Sequence, residues 1–329
     1  MTAIVQRIYG AADELRVETI DVPEFAADEV LVRVHAAGID RGTWHLMTGV
    51  PYLARLAVGM RRPKQSIPGL DMAGTVVGVG SAVTRFAVGD AVFGIAKGSL
   101  AEFAPALERK LVHRPAGVSF VEAAVLAVSG LTALRAVVDV GRITPGQKVL
   151  ITGASGGVGH YAVQIAVAHG AKVTAVCSAP KADFVRSIGA ERVIDYATED
   201  VTRSTDVYDL MIDIAGNAPT RRLRRILSST GTLVIVGGET GGRITGGFGR
   251  GFRAAMLSPF VRQRLAMLIA KETHVDMARL ASMVEAGEIR PKVGAAFALS
   301  DTRAAMAFLE AGNGCGKIAV TVQDDELPS

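Results

Sequence analysis

One segment constrains the fold of this chain more than any other: Gly153-Ala154-Ser155-Gly156-Gly157-Val158-Gly159. It follows Lys148-Val149-Leu150-Ile151-Thr152, which reads as a buried strand, and it opens a helical pattern over residues 158–168. Strand, glycine turn and helix in that order form the first part of a βαβ unit. The helix N-terminus then offers backbone N–H groups to an anion such as the pyrophosphate of a dinucleotide. The spacing is G-x-x-G-x-x-G rather than G-x-G-x-x-G, so a structural turn without a ligand stays open as the alternative reading. Strand and helix patterns keep alternating downstream. Strands are expected at 172–177, 192–195, 210–214 and 232–236, and helices at 182–188 and 218–227. Such alternation implies a parallel sheet with right-handed crossovers. Strand 232–236 falls late in the order and is expected to leave a sheet edge.

The first third of the chain has a different period. Short β-rich stretches at 4–8, 16–22, 29–37, 75–79 and 91–95 are bounded by glycine or Gly-Asp turns, which suits a small or partly open β-barrel. Residues 49–68 interrupt them with a long basic insertion, a length that commonly serves as a lid or pocket wall. At Ser119-Phe120-Val121-Glu122 a capping box opens an apolar helix. Basic amphipathic helices are expected after Gly251, then helices at 275–285 and 302–309 and a last strand at 317–322. The tail Asp324-Asp325-Glu326 reads as disordered. The expected division is 1–122, 123–265 and 266–329.

Composition limits the function classes. A chain of 329 residues, 49% hydrophobic and 21% charged, has material for two packed domains and is not a disordered chain. Two cysteines, Cys177 and Cys315, exclude a disulfide framework and a multi-cysteine zinc site. The net charge of +4 is small, and no nucleic-acid recognition motif is present. Arginine clusters at Arg55, Arg61, Arg62 with Lys64, and at Arg243, Arg250, Arg253, Arg262 and Arg264, read either as solvated faces or as an attraction for an anionic ligand. The start lacks a signal-peptide core, and the longest nearly apolar run, 123–134, falls short of the ~20 residues that span a bilayer. A cytoplasmic protein without membrane or nucleic-acid partners is expected.

The end of the second strand of the βαβ unit bears on the choice of cofactor. An acid for a free ribose 2′-hydroxyl would lie about 20 residues past the first glycine. The segment Val176-Cys177-Ser178-Ala179-Pro180-Lys181 has none. The Ser178 hydroxyl and the Lys181 ammonium suit a 2′-phosphate, which favours NADPH over NADH; the alternative is that Ser178 caps the following helix.

Several motifs occur in order: Ala36-Ala37-Gly38-Ile39-Asp40, Pro68-Gly69-Leu70-Asp71-Met72-Ala73-Gly74, Val88-Gly89-Asp90-Ala91-Val92-Phe93-Gly94, Ser129-Gly130-Leu131-Thr132-Ala133, the glycine loop, Ile188-Gly189-Ala190, Val193-Ile194-Asp195-Tyr196 and Gly316-Lys317-Ile318. Together they resemble the medium-chain dehydrogenase/reductases of the quinone oxidoreductase branch, across nearly the whole chain. The resemblance implies an α/β protein: a GroES-like β-barrel catalytic domain, a Rossmann NADP-binding domain with a doubly wound parallel sheet, and a C-terminal return to the catalytic domain. It implies a homodimer paired at a sheet edge. It also carries over Thr132, Gly237 and Lys317, with Gly153 to Gly159, Ser178, Lys181 and Tyr196, as cofactor-binding positions. For Tyr196 the alternative is a packing tyrosine at a helix start.

Departures from the family pattern matter as much. Zinc alcohol dehydrogenases of the superfamily have cysteine and histidine ligands where this chain has Asp40, Leu70 and about Val128. One carboxylate does not replace three ligands and leucine cannot ligate, so a zinc-free enzyme is expected. Asp40 stands where quinone reductases usually have Asn, able to accept from a ribose hydroxyl but not to donate. Tyr52, in the 49–68 insertion, matches pocket tyrosines of the family, though coincidence among five tyrosines is the alternative. The resulting expectation is an NADPH-dependent reductase of quinones or α,β-unsaturated carbonyls, with Tyr52 and Asp40 as catalytic residues. Two rivals remain. One is an enoyl-thioester reductase gripping a phosphorylated carrier with Arg55, Arg61, Arg62 and Lys64. The other is an NADPH-binding sensor without catalysis.

Overall fold

The computed structural model describes residues 1–216, 218–238, 242–269 and 272–323. The expected disorder of Asp324 to Glu326 lies outside the described residues. The chain forms two compact units, one of Met1–Leu131, Glu272–Gly287 and Pro291–Ser329, the other of Thr132–Lys271 and Glu288–Arg290. The splits fall at 131/132 and 271/272, where the sequence reading placed them at 122/123 and 265/266. Residues 288–290 count with the second unit, where Gln164 and Arg290 exchange hydrogen bonds through the Arg290 backbone (2.8 and 3.2 Å).

In the first unit, β1 (Thr2–Val5) pairs antiparallel with β2 (Arg16–Thr19). The long strand β3 (Glu29–Ile39) is followed by α1 (Arg41–Thr48), α2 (Arg55–Val58), β4 (Asp71–Val79), β5 (Ala91–Ile95), β6 (Phe103–Leu107), β7 (Leu111–His113) and α3 (Phe120–Ala123). Ser119 and Glu122 close the expected capping box at the start of α3. Strand β3 alternates buried Val30, Val32 and Val34 with more exposed positions, the period of a sheet with one face on a core. Strand β4 begins at Asp71, not at residue 75 as the hydrophobic pattern implied. Asp71 enters the sheet opposite Gly38 because its charge has partners there.

The second unit carries the parallel sheet. After α4 (Ala127–Leu134), which contains the split point, come β8 (Lys148–Thr152), α5 (Gly159–Ala168), β9 (Lys172–Cys177), α6 (Ala182–Ser187), β10 (Arg192–Asp195), β11 (Tyr208–Asp213), α7 (Thr220–Leu223), β12 (Leu227–Ile235), α8 (Phe248–Leu257) and β13 (Arg264–Met267). The order is β10-β9-β8-β11-β12-β13 with every pairing parallel, the doubly wound arrangement in which ligands lie beyond the carboxyl ends of the strands near β8. Two expectations are corrected. The helix foreseen at 218–227 is one turn, because β12 already begins at Leu227. The strand foreseen at the edge is not the edge, because β13 pairs beyond it. Leu150, Met211, Leu233 and Leu265, one from each of four adjacent strands, share one buried cluster.

Returning to the first unit, α9 (His274–Glu285), β14 (Val293–Ala298), α10 (Thr302–Ala311) and β15 (Lys317–Thr321) complete it. Strand β15 pairs with β3, so Lys317 joins the sheet one position from Ile318, whose partner is Ile39. That register brings the end of the chain beside Asp40.

Candidate active site

The dinucleotide loop of the second unit is built by steric necessity. Gly153 has φ +67°, the left-handed region that only glycine adopts at little cost. A Cβ on Gly159 would lie 2.1 Å from the Gly153 carbonyl oxygen, so the first turn of α5 packs on the strand end only with glycine there. Gly156 N donates to Gly153 O (3.1 Å), and His160 N to Gly156 O (3.0 Å). Ala154 is fully buried and Ser155 nearly so, while Gly156 and Gly157 keep partial exposure. A small backbone surface beside a helix N-terminus fits a pyrophosphate. The residues present therefore fit the dinucleotide that the fold implies.

Next to the loop, the carboxyl edge of the sheet is tied by a network of residues distant in sequence, without a local signature. Thr152 Oγ1 donates to Asp213 Oδ1 (2.7 Å) and accepts from Ile214 N (3.1 Å) and Ala215 N (3.3 Å). Asp213, 1% exposed, also accepts from Gly216 N and pairs with Arg250 of α8, which donates to Ala218 O (2.7 Å). Gly216 and Gly238 approach so closely that a Cβ on Gly216 would meet the Gly238 Cα at 2.3 Å. These ties hold Gly237, a carried-over cofactor position, in the same edge.

Strand register places the remaining cofactor candidates. Asp195 pairs with Cys177, so Tyr196 and Ser178 leave adjacent strand ends. Tyr196 is 63% exposed, and Ser178 makes no capping hydrogen bond to the turn that follows it. The capping alternative for Ser178 is thereby set aside. Lys181 lies at the start of α6, three residues along. A depression of about 280 Å³ is lined here by Ser178, Ala182, Asp183, Arg186, Val193 and Asp195, among others. Arg186 within it pairs with Asp183 at 2.7 Å. Thr132 lies in α4, partly buried.

The first unit holds a buried ion cluster. Lys317 Nζ donates to Asp71 Oδ2 (2.9 Å) and Asp40 Oδ2 (3.1 Å), with the lysine and Asp71 each 1% exposed and Asp40 12%. Asp71 Oδ1 accepts from Val128 N (2.7 Å). Asp40 Oδ1 accepts from Thr43 N (2.9 Å) and so caps α1. A Cβ on Gly38 would lie 2.4 Å from Ala124 O and 3.0 Å from the Asp71 Cβ, which is why the Ala-Gly-Ile-Asp motif needs its glycine. Burial pushes the Asp71 carboxyl up to about 6, partly countered by Lys317. Burial also raises Asp40, but Lys317 and the bonds from Thr43 prevail and hold it below the usual range. The two carboxylates hold the Lys317 ammonium above its ordinary value despite burial.

This cluster changes the reading of two residues. Lys317 was expected to touch the cofactor, but its ammonium is enclosed between two carboxylates. Asp71 lies in a quoted motif with no role assigned, and its signal was an acid at the start of an apolar strand. The same geometry tests the zinc that related enzymes hold. Asp40 and Asp71 are both engaged by the Lys317 ammonium, Leu70 offers no lone pair, and among the described residues no group of three or more His, Cys, Asp or Glu could hold a metal. The residues do not fit zinc.

Tyr52 begins a 3₁₀ turn and is 42% exposed. The Arg55 guanidinium lies over both the Tyr52 ring (4.7 Å) and the Tyr9 ring (4.4 Å), and its Nε donates to Gly49 O (2.8 Å). Arg55 is thus engaged within the insertion, Lys64 donates one bond to Ala57 O (2.9 Å), and Arg61, Arg62 and Lys64 are exposed.

A GroES-like β-rich unit and a doubly wound sheet with a dinucleotide cradle define a nicotinamide-nucleotide oxidoreductase. Residues 26–145 match the alcohol dehydrogenase GroES-like domain, and residues 188–320 match the zinc-binding dehydrogenase family. A chloroplast envelope quinone oxidoreductase homolog of Arabidopsis thaliana is 32% identical over 326 residues, covering 94% of this chain and 95% of that one. A chloroplastic quinone-oxidoreductase homolog of Spinacia oleracea is 38% identical over 238 residues, 68% of this chain and 71% of that one. Among solved structures, the quinone oxidoreductase of Coxiella burnetii superposes with a TM-score of 0.86 at 27% identity, over 98% of this chain and 99% of that one. The Escherichia coli quinone oxidoreductase complexed with NADPH gives 0.82 at 25%, over 98% and 100%. The chain belongs to the medium-chain dehydrogenase/reductase superfamily, in its quinone oxidoreductase-like branch, and is an oxidoreductase of NADPH type. The cytoplasmic expectation is corrected: the two sequence relatives are proteins of the chloroplast and its envelope.

Proposed function

We propose that the protein is a zinc-independent, NADPH-dependent reductase acting on a quinone or on the activated C=C of an α,β-unsaturated carbonyl. The observation that carries this reading is the Asp40–Lys317–Asp71 cluster, which puts a fixed ammonium among the positions where zinc members of the superfamily have ligands. Polarisation of a carbonyl then falls to hydrogen-bond donors of the protein, which suffices for quinones and enones because their acceptor carbon is already electrophilic. Bound NADPH supplies the hydride.

In this reading the backbone of Gly153 to Gly159 holds the pyrophosphate, and Thr132 and Gly237 border the bound dinucleotide. Ser178, Lys181 and Tyr196 meet the 2′-phosphate, where a charge-assisted contact separates NADPH from NADH by about tenfold. Asp40 keeps one carboxylate edge on Lys317 and accepts from a ribose hydroxyl with what remains. Tyr52 donates a hydrogen bond to the oxygen that gains charge. Homodimer formation belongs to β13, one of the two edge strands of the parallel sheet.

The test is NADPH oxidation against a panel of quinones, enones and simple alcohols with NADP⁺. Turnover of quinones or enones without alcohol oxidation supports the reading; alcohol oxidation that requires added zinc, or tight NADPH binding with no turnover, defeats it. The enoyl-thioester alternative keeps support from a trans-enoyl reductase of Aspergillus terreus, 33% identical over 317 residues, and with Arg55 engaged it rests on the exposed Arg61, Arg62 and Lys64.

A further inference from the structure

The segment that presents Tyr52 has no hydrophobic anchor. Through the 3₁₀ turn Tyr52–Ala54 and α2 no side chain is buried, and Leu53 and Leu56 are 50% and 66% exposed. Burial therefore does not fix where the Tyr52 ring stands. A side chain in that position samples its rotamers unless directed contacts hold it.

Arg55 supplies such contacts. Its Nε donates to Gly49 O (2.8 Å) and its Nη2 reaches Thr48 O (3.5 Å) at the end of α1, where a cation also meets the negative end of the helix dipole. From that seat its guanidinium lies over two rings, Tyr52 at 4.7 Å and Tyr9 at 4.4 Å. Tyr9 is tied down in turn, its hydroxyl shared between Gly59 O (2.7 Å) and Val58 O (3.2 Å) at the end of α2. Gly49, with φ +63°, leaves room for this stack. A Cβ there would lie 2.6 Å from the Tyr9 ring and 2.8 Å from Arg55 Nε. Tyr52 Oη meets no hydrogen-bond partner among the described residues, so the ring is held by its face while the hydroxyl stays open.

We propose that Arg55 is a positioning residue for the reduction, fixing the Tyr52 ring so that its hydroxyl meets the oxygen that gains charge. The inference rests on the reading of Tyr52 as that donor. Placement matters because a shift of about 1 Å in a reacting group can cost on the order of 10²-fold in rate. Lysine does not replace Arg55: a point charge cannot set one edge on backbone carbonyls and a planar face against two rings.

The experiment compares quinone and enone reduction by wild type, Arg55→Gln, Arg55→Lys, Tyr52→Phe and Tyr52→Phe/Arg55→Gln, with circular dichroism and NADPH calorimetry on each. The proposal expects kcat to fall roughly tenfold in both Arg55 variants with NADPH affinity unchanged. The double variant should match Tyr52→Phe alone, because Arg55 acts through the phenol. Protein labelled with 3-fluorotyrosine gives a readout that needs no turnover. Its Tyr52 resonance, identified by its loss in Tyr52→Phe, should move toward that of free fluorotyrosine in Arg55→Gln. Losses that multiply in the double variant overturn the proposal in favour of a general structural role. Wild-type kcat in Arg55→Lys overturns it in favour of charge alone. A fall in Tyr52→Phe with none in Arg55→Gln, or an unmoved Tyr52 resonance, overturns the positioning role while the donor reading stands. Wild-type kcat in Tyr52→Phe removes both.

Discussion

Replacing Asp71 by Asn removes one of two carboxylates that share a single buried ammonium, and the consequence for stability has a definite sign. The folded-state carboxyl of Asp71 is pushed from 3.8 up to about 6 by burial, so the native state holds a proton that the unfolded chain has already released. A raised folded pKa contributes stability that is complete below the unfolded value and is lost as pH rises through the folded one. Over the window from about pH 4 to pH 6.5 this group alone lowers stability by about 3 kcal/mol, from the width of the shift at 1.36 kcal/mol per pH unit. Asn is neutral at every pH, keeps a carbonyl oxygen for Val128 N, and leaves Asp40 to balance Lys317. Denaturant midpoints for wild type and Asp71→Asn, taken every half unit from pH 4 to 7.5, isolate the effect because all other groups titrate in both proteins. The variant should gain on wild type as pH rises through 6, by up to about 3 kcal/mol. A constant difference between the two curves across that window would refute the account of the cluster as one acid in excess.

Three further outcomes follow from the same geometry. Lys317→Met leaves two buried carboxylates without their cation and should destabilise the protein by roughly 3–5 kcal/mol, read from the shift in denaturant midpoint. Gly159→Ala places a Cβ 2.1 Å from the Gly153 carbonyl and should abolish NADPH binding by calorimetry while the far-ultraviolet spectrum is retained. Tyr52→Phe should lower kcat by roughly 10²–10³-fold with NADPH affinity unchanged, the scale of losing one donor to a developing oxyanion.

What was legible in the sequence is what depends on local chemistry. The glycine loop could be read because a φ of +67° at Gly153 and the close packing at Gly159 admit no other residue. The capping box at Ser119 and Glu122 could be read because both partners lie within one turn. Strand β13 could not: four residues, Arg264 to Met267, sit in a basic segment, and only the register with β12 makes them a strand. The ion cluster was illegible for the same reason at larger scale. Asp40 and Asp71 are brought together by antiparallel pairing of β3 with β4, and Lys317 comes from the other end of the chain through β15. Asp40 seen alone is an acid in place of an amide, and Lys317 seen alone is a cation for a phosphate. Only their separation of 3.1 Å shows that each is the other's counter-ion. Because the pair is satisfied internally, a change at either position acts first on the fold of the β-rich unit. Kinetic effects of Asp40 or Lys317 variants therefore report on catalysis only after a stability measurement has shown that the sheet joining β3, β4 and β15 is intact.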